Sequence, residues 1–164
     1  MKLLFVVIFL FANIKCSAKE HFNTEFLSNS CIKPLIEYHY LTCNDIVLKV
    51  NGILFTIPLG FETDLASIPQ IAWPILAPAH SSLIRPAIVH DWMYRTACYF
   101  TRKQSDLIFY HLLVNEGISR FRASIMYYAV RLFGWNYFEE NYCGDQMDQR
   151  TRKSQLAFLE KYGQ

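Results

Sequence analysis

Residues 87–95 read AIVHDWMYR, and this segment says most about the fold and the chemistry of the chain. His90 and Asp91 stand side by side in an otherwise apolar stretch, where burying both side chains is costly unless each has a partner. Adjacent helical residues point about 100° apart, so the imidazole and the carboxylate serve different contacts. Tyr94 lies one turn after His90 on the same face. The segment therefore predicts a core helix that directs polar groups at two separate partners.

Asp106 is the natural partner of His90. It lies early in the next predicted helix, which a short turn folds back antiparallel to the first, so its carboxylate can orient the imidazole ring. A histidine held in this way is suited to act as a general base, and we predict catalytic roles for His90, Asp106 and Tyr94. A structural interpretation stays open. In it, His90 is a core histidine with satisfied hydrogen bonds, Asp91 pairs with Arg95, and the carboxylate of the second helix complements the helix dipole.

A second polar motif, FETDLASIP at residues 61–69, precedes the helices. Thr63 and Asp64 offer oxygen atoms that suit either a hard cation or a capped turn. If this loop closes against the helix that carries His90, then Thr63, Asp64 and Asp91 become candidate ligands of a calcium ion. The alternative is an Asx or Ser/Thr turn that binds nothing.

The pattern of side chains changes from β-like to helical near residue 80. Three runs are rich in β-branched and aromatic residues: 35–42, 46–50 and 53–57. Asn51-Gly52 is a strong hairpin signal between the last two runs. We therefore predict a β-rich part over residues 31–60 and a motif loop over residues 61–80, where prolines prevent a long helix.

Residues 81–162 have a helical pattern. We predict helices from Ser81 or Ser82 to about Tyr99, from Thr101 to Gly117, from about Ser119 to Phe133, and a weaker one over Thr151–Tyr162. The third helix carries apolar residues at helical spacing: Phe121, Ile125, Tyr128 or Ala129, and Leu132. The predicted fold is α+β, with a small antiparallel sheet or hairpin followed by a bundle of three to four helices.

The composition indicates a folded protein with an export signal. The 164 residues are 52% hydrophobic, 16% aromatic and 18% charged, which excludes a disordered chain. Lys2 precedes an apolar run over residues 3–14, and small residues follow up to Ala18, as in a secretory signal peptide. The run is shorter than the about 20 residues that span a bilayer. We therefore predict a signal peptide over residues 1–18, a single globular domain over residues 19–164, and a periplasmic or secreted location.

The net charge narrows the class of partner. Removing the signal peptide takes away two lysines and leaves 14 cations against 14 anions, so the mature chain is neutral when its histidines are uncharged. A neutral domain lacks the basic surface of a nucleic-acid-binding protein. We therefore expect no nucleic-acid partner.

The cysteines favour an oxidising compartment. Four follow the signal peptide: Cys31, Cys43, Cys98 and Cys143. An even number in an exported chain favours two disulfides, with three pairings available, and we favour the local pairs Cys31–Cys43 and Cys98–Cys143. Four buried thiols in a reducing compartment are the alternative. Lipidation at Cys16 is not expected, because small or apolar residues should precede a lipoprotein cysteine and Lys15 stands there.

Four motifs in a fixed order resemble one family of domains. They are F-x-T-D-x-A-S-I-P at residues 61–69, H-D-W-x-Y at residues 90–94, Asp106-x-x-Phe109, and Y-A-V-R-x-F-G at residues 128–134. This order is similar to that of an uncharacterised domain family of tailed phages, prophages and bacteria, over about residues 45–135. The resemblance implies a shared fold and a shared site without a settled activity. The signal peptide and the cysteine-bearing flanks depart from the usual phage form.

The helix pair is also distantly similar to secreted prokaryotic phospholipase A(2). The similarity lies in His90-Asp91-x-x-Tyr94-Arg95 and in a following helix that bears Asp106. It implies that His90 deprotonates a water molecule, that Asp91 ligates Ca²⁺ and that Asp106 holds the histidine. Calcium would then stabilise the oxyanion of the attacked ester. The glycine-rich calcium loop of the phospholipases is absent here.

Three functions are compatible with these patterns. The first is an exported, calcium-dependent hydrolase of lipid esters, with membrane lipid as its partner. The second is a non-enzymatic, phage- or prophage-derived envelope protein that binds a protein partner, and the third is a metal-dependent hydrolase of cell wall or phosphate esters. An enzyme should present His90, Asp91 and Asp64 around one cleft, whereas a structural centre should bury them in mutual hydrogen bonds.

Overall fold

A computed structural model describes residues 21–36, 39–65, 81–96 and 100–138. The strands in these ranges are β1 (Thr24–Phe26), β2 (Ile32–Ile36), β3 (His39–Thr42), β4 (Ile46–Val50), β5 (Ile53–Ile57) and β6 (Glu62–Thr63). The helices are α1 (Ser81–Arg95), α2 (Arg102–Asn115), α3 (Arg120–Phe133) and a 3-10 helix over Gly134–Tyr137. No helix of this part is long and apolar enough to cross a membrane. The predicted α+β fold is confirmed.

The strands form two antiparallel sheets, with orders β1-β4-β5 and β2-β3-β6. The predicted hairpin joins β4 and β5, where Val50 pairs with Ile53. Its turn residues, Asn51 and Gly52, have φ values of 49° and 87°. These left-handed values suit asparagine and glycine, which is why this dipeptide places a tight turn here.

Alternation along β4 directs one face of the first sheet into the core. Ile46, Leu48 and Val50 are buried, because every second side chain of a strand points to the same face. They pack in one buried cluster with α1 and α2, represented by Ile88 and Leu112. This sheet therefore supports the two helices on which the candidate site residues lie.

The side chain of Asn115, at the end of α2, fastens the N-terminal strand to the helices. Its amide donates hydrogen bonds to the backbone carbonyl and the hydroxyl of Thr24, at 2.9 and 2.8 Å. Thr24 also pairs with Val50 in the first sheet. Strand β1 is therefore held both by the sheet and by a residue 91 positions later in the chain.

Helices α2 and α3 are bounded by the residues that their capping signals predict. Thr101 accepts a hydrogen bond from the backbone of Gln104, whose side chain accepts one from the backbone of Thr101, which is a capping box. Ser119 caps α3 by accepting from the backbone of Arg122. Gly117 separates α2 and α3 with a φ of 88°, a conformation that glycine adopts readily.

Consecutive helices run antiparallel, as predicted for the first pair. Tyr94 near the end of α1 contacts Asp106 early in α2. At the opposite ends, Arg85 forms a bidentate ion pair with Glu116, with a closest distance of 2.7 Å. Helix α3 packs on α2 in a second buried cluster that includes Phe109, Leu113, Ala123, Met126 and Val130.

The β-rich part starts earlier and is divided differently from the prediction. It begins at Thr24 instead of residue 31, because β1 pairs with β4. The run 35–42 is not one strand, since it contributes to both β2 and β3, which pair with each other. Within the predicted motif loop, Glu62–Thr63 forms β6 on the second sheet. Side-chain composition marks extended segments, but it does not show where an extended run turns back on itself.

The predicted disulfide between Cys31 and Cys43 is present, with a Cα–Cα distance of 5.1 Å. The backbone N–H of Cys43 also donates to the carbonyl of Cys31 at 2.9 Å. Helix α1 ends at Arg95, before the predicted end at about Tyr99. Other predictions lie outside the described residues: the signal peptide over 1–18, the loop over 66–80, the pair Cys98–Cys143 and the helix over Thr151–Tyr162.

The apolar stripe predicted on the third helix faces away from the core. Phe121 and Leu132 are 74% and 59% exposed, while Ile125 and Tyr128 are half-buried. The buried face of α3 is formed instead by Ala123, Met126, Ala129 and Val130. Helix α3 is therefore apolar on two faces, and periodicity alone does not tell which of them is the core face.

We expect the two faces of α3 to respond differently to truncation. Met126→Ala should lower the free energy of unfolding by about 2–5 kcal/mol, because it opens a cavity in the second core cluster. Leu132→Ala should change it by less than about 0.5 kcal/mol, because this side chain lies at the surface. Urea denaturation of both variants measures the difference. Equal losses would mean that the outward stripe also packs against the fold.

Candidate functional site

Asp106 is the centre of a buried hydrogen-bond network between α1 and α2. Its Oδ1 lies 2.9 Å from Nε2 of His90 and accepts a hydrogen bond from the hydroxyl of Tyr94 at 2.5 Å. His90 and Asp106 are 1% and 0% exposed. The one-turn spacing of His90 and Tyr94 places both side chains over the same carboxylate. The structure therefore brings together the three residues predicted to be catalytic.

Arg131 supplies the positive charge that balances this buried carboxylate. It reaches from α3 and its Nη1 donates to Oδ2 of Asp106 at 2.7 Å. Donors on both oxygens and a cation beside it offset the cost of burying this carboxylate, because a buried negative charge is stabilised by a paired cation and by hydrogen bonds. The network thus joins all three helices through one side chain.

The state of the His90 ring follows from these contacts. The Asp106 oxygens accept hydrogen bonds from Tyr94 and Arg131, so Nε2 of His90 is the donor in its contact with Asp106. The ring lies between Tyr94 and Phe109, with centroid distances of 4.1 and 4.7 Å. Nδ1 is buried and has no hydrogen-bond partner in the part of the chain that the structure describes. An imidazole that is oriented through one nitrogen and makes no hydrogen bond through the other is the arrangement that a general base requires.

Tyr94 is held as a neutral hydrogen-bond donor. Burial raises the pKa of its phenol far above the usual range, and the charge of Asp106 raises it further, while Arg102 acts in the opposite direction. The hydroxyl also meets Gly134, where an added Cβ would lie 2.8 Å from the tyrosine oxygen. Glycine at this position is therefore required for the Tyr94–Asp106 hydrogen bond by close approach and not by an unusual backbone angle.

The second predicted motif meets α1 through a threonine. Thr63 is buried at the end of β6, and its hydroxyl donates to Oδ2 of Asp91 at 2.5 Å. The same hydroxyl oxygen accepts a hydrogen bond from the backbone of Leu65 at 3.2 Å. Asp64, between them, is half-buried. The segment therefore contacts the His90-Asp91 helix as predicted, and Thr63 makes this contact.

The fit of these oxygens to calcium is incomplete within the described residues. Calcium takes six to eight oxygen ligands, and Thr63 already uses its hydroxyl as donor to Asp91 and acceptor from Leu65. No group of three or more His, Cys, Asp or Glu side chains in residues 21–36, 39–65, 81–96 and 100–138 has the geometry to hold a metal. Calcium binding by Asp91, Asp64 and Thr63 stays a prediction.

Arg95 has a different partner from the one considered in the structural interpretation. Its Nη1 donates to the backbone carbonyl of Glu62 at 2.6 Å, and its guanidinium lies 5.3 Å from the centre of the Phe61 ring. Asp91 is buried beside Thr63. Helix α1 is therefore attached to β6 by two adjacent contacts, one from a carboxylate and one from an arginine.

Two members of the network were not among the predicted site residues. Arg131 lies in the last turn of α3, where a cation ordinarily complements the helix dipole, and Gly134 follows as the helix cap. Both belong to the Y-A-V-R-x-F-G motif at residues 128–134. That motif was the one sequence signal that could have indicated their part in the site.

A polar groove elsewhere on the molecule does not include the network. It has a volume of about 350 Å³ and is lined by Asn29, Ser30, Ser82, Ile84, Arg85 and Glu116. None of the six predicted site residues lines it. The paired state of Arg85 and Glu116 accounts for the charged part of its wall.

The fold and the network define an α+β domain in which a buried acid–histidine pair joins three helices. The chain belongs to the family described as "Protein of unknown function (DUF1353)", whose model matches residues 43–130. The expectation of an uncharacterised domain family is thus confirmed, whereas the similarity to phospholipase A(2) stays a prediction.

Two relatives come from Sinorhizobium fredii (strain NBRC 101917 / NGR234). "Uncharacterized protein y4iH" is 31% identical over 123 residues, which cover 71% of this chain and 51% of that protein. "Uncharacterized protein y4jT" is 31% identical over 85 residues, which cover 51% of this chain and 25% of that protein. The chain therefore matches only about half of the first relative and a quarter of the second. No solved structure gives a significant match.

We expect Gly134→Ala to destabilise the protein through Tyr94. The new Cβ would lie 2.8 Å from the hydroxyl and 3.2 Å from Cε1 of that ring, and overpacking of this kind costs about 1–3 kcal/mol. In a Tyr94→Phe background the closest contact is gone, so the same change should cost less. A double-mutant cycle of urea unfolding energies measures this coupling. Equal costs in the two backgrounds would contradict it.

The raised pKa of Tyr94 predicts a loss of stability at alkaline pH. The unfolded tyrosine ionises near pH 10, while the folded one keeps its proton, so the stabilisation is complete below about pH 10 and declines above it. The decline should reach about 1.4 kcal/mol per pH unit. Tyr94→Phe should remove this component from unfolding energies measured between about pH 9 and 11. Tyr137→Phe, which removes an exposed hydroxyl, is the control.

Proposed function

We propose that the domain is an ester hydrolase in which His90 is the general base. The single observation that carries the proposal is the orientation of the ring, with Nε2 held by Asp106 at 2.9 Å and Nδ1 left without a partner among the described residues. A buried nitrogen without a hydrogen bond costs about 1–3 kcal/mol, and a catalytic role is one of the reasons for which a folded protein keeps such a group.

The chemistry assigned to these residues is the activation of water. Nδ1 of His90 takes a proton from a water molecule while the water oxygen forms a bond to the ester carbonyl carbon, and the carbonyl π electrons move to its oxygen. The imidazolium that results is stabilised by the carboxylate of Asp106. When the oxyanion collapses, the bond from the carbon to the alcohol oxygen breaks, and the alcohol leaves with the proton that Nδ1 returns. Tyr94 and Arg131 hold that carboxylate in place, so they are positioning residues. This sequence of events uses only side chains that the network already orders.

The substrate class and the location belong to the proposal as well. Lipid esters and a dependence on calcium are supported by the resemblance of the His90-Asp91-x-x-Tyr94 helix to phospholipase A(2), and Asp91 would be the calcium ligand. Export to the periplasm or beyond is supported by the apolar run over residues 3–14. Calcium and the lipid substrate are therefore variables of the experiment below.

A non-enzymatic role is the second candidate, and the burial of the network favours it. His90 is 1% exposed, and Asp91 and Asp106 are buried in mutual contacts with Thr63, Tyr94 and Arg131. In this second candidate, the buried side chains have a purely structural role: they hold together the helices of an envelope protein. An esterase must in addition allow a substrate to approach Nδ1.

We expect the protein to release fatty acid from mixed phospholipid vesicles in the presence of calcium. His90→Gln should reduce the initial rate by about a hundredfold to ten-thousandfold, because general-base catalysis contributes that much. A chelator should abolish release if calcium takes part. Fatty acid is measured by titration at constant pH.

The matched control is His39→Gln. His39 also pairs with a carboxylate, Glu62, at 2.8 Å, but this pair lies near the surface and away from Asp106. It should leave the rate unchanged. If the wild type releases nothing and His90→Gln lowers only the melting temperature, the network is structural. Hydrolysis of a phosphate monoester or of cell wall in place of lipid would support the metal-dependent hydrolase.

A further inference from the structure

Strand β5 leaves one edge of the first sheet without a partner strand among the described residues. The sheet order is β1-β4-β5, so β4 pairs with only one side of β5. Pairing across the hairpin begins with Val50 and Ile53, and hydrogen-bonded pairs alternate with non-bonded pairs from there on. The backbone groups of Leu54 and Thr56 therefore point towards the open edge. Both residues are also exposed.

The three other edges of the two sheets carry features that discourage pairing with another chain. Natural proteins protect open edges with short strands, charged side chains and proline. Strand β1 has three residues and includes Glu25, and β6 has two residues and includes Glu62. Strand β2 contains Lys33 and Pro34. Each of these strands therefore has two of the three protective features.

Strand β5 has none of these protective features. It has five residues, ILFTI, and among them there is no charged residue and no proline. The uncharged stretch extends from residue 50 to residue 61. Ile53 and Leu54 are 63% and 59% exposed, although both are apolar. An exposed apolar edge of this kind is a template for pairing with another strand.

The sequence of β5 fits antiparallel pairing with a second copy of itself. A twofold axis at Phe55 places Leu54 opposite Thr56 of the partner, and Thr56 opposite Leu54 of the partner. These are the residues whose backbone groups point outward, so each opposing pair exchanges both of its hydrogen bonds. The same axis places Pro58 opposite Gly52 of the partner, where no side chain obstructs the proline ring.

The side chains on both faces of the sheet suit this pairing. On the face towards the helices, Phe55 packs against the core cluster. The two copies of Phe55 become neighbours across the axis, and aromatic cross-strand pairs are stabilising. On the opposite face, Leu54 lies beside Thr56 of the partner. The nearest charge in this sheet is Lys49 on β4, in register between Leu54 and Glu25. No like charges therefore face each other across the axis.

We propose that the protein forms a symmetric dimer through antiparallel pairing of the β5 strands of two copies. The two three-stranded sheets then become one continuous sheet with the order β1-β4-β5-β5-β4-β1. A strand of another protein is the alternative occupant of this edge. A second copy is favoured because one twofold axis matches the outward backbone groups of a neutral strand to themselves. Most soluble homo-oligomers have closed symmetry of this kind.

Sedimentation velocity over a range of protein concentrations measures the dimer. We expect a dissociation constant of about 1–100 µM, because one strand pairing is smaller than a standard protein interface. Thr56→Pro should weaken the dimer by about thirtyfold, since each copy loses one N–H donor and each hydrogen bond contributes about fivefold. Thr56→Val keeps the N–H and is the matched control. It should dimerise as the wild type does.

A second pair of variants tests the edge without changing its backbone. Leu54→Lys adds the charge with which natural edges are protected, and it should weaken the dimer by about tenfold. Phe121→Lys is the control, because it charges an equally apolar and more exposed position on α3. It should leave the dimer unchanged. His90→Gln should also dimerise normally, which separates this proposal from the hydrolase proposal.

Hydrogen exchange of single amides shows which strand pairs. The amides of Leu54 and Thr56 should become protected as the protein concentration rises. The amide of Phe55 bonds to β4 and should be protected at every concentration. The proposal is overturned if the protein is monomeric up to about 1 mM, or if Thr56→Pro and Leu54→Lys both fold and dimerise normally. It is also overturned if the Leu54 and Thr56 amides are protected independently of concentration, as they would be under another segment of the same chain.

Discussion

The architecture of the helical part depends on one buried negative charge. The Asp106 carboxylate is removed from water, which is costly unless cations and hydrogen-bond donors replace the lost hydration. The two helices beside α2 supply this replacement, with His90 and Tyr94 from α1 and Arg131 from α3. Apolar contacts between helices tolerate small rotations, whereas three directional donors on two oxygen atoms do not. The hydrogen bonds to this charge therefore fix how the helices are rotated relative to one another. Apolar packing alone would hold the helices together without fixing that rotation.

Polar contacts also fix helix α1 relative to the β-sheets. Thr63 at the end of β6 donates to Asp91, and Arg95 donates to the backbone of Glu62. Helix α1 thus has one polar side towards α2 and another towards the second sheet, while its apolar residues pack on the first sheet. The adjacent His90-Asp91 pair has a simple physical meaning in this setting. Two neighbouring polar residues, pointing about 100° apart, connect one helix to two different layers.

Local signals predicted much of this structure, and contacts across the chain account for what they missed. The Asn51-Gly52 hairpin, the caps at Thr101 and Ser119, and the Cys31–Cys43 pair each depend on residues close in sequence. The His90–Asp106 contact was also predictable, because a short turn between antiparallel helices determines which residues face each other. The division of the strands into two sheets was not predictable, since β1 and β6 find their partners far along the chain. Arg131 was missed for the same reason, and the outward stripe of α3 has the same periodicity as a core face.

The attachment of β1 to Asn115 has a consequence for the order in which the chain assembles. The three helices follow one another with short connections, so their mutual contacts close small loops and can form early. Strand β1 joins β4 within the sheet, but its bond to the end of α2 spans 91 residues. That bond can form only when the helical hairpin and the sheet already exist. We expect strand β1 to dock last during folding, onto a sheet and helices that are already assembled, and to leave first during unfolding.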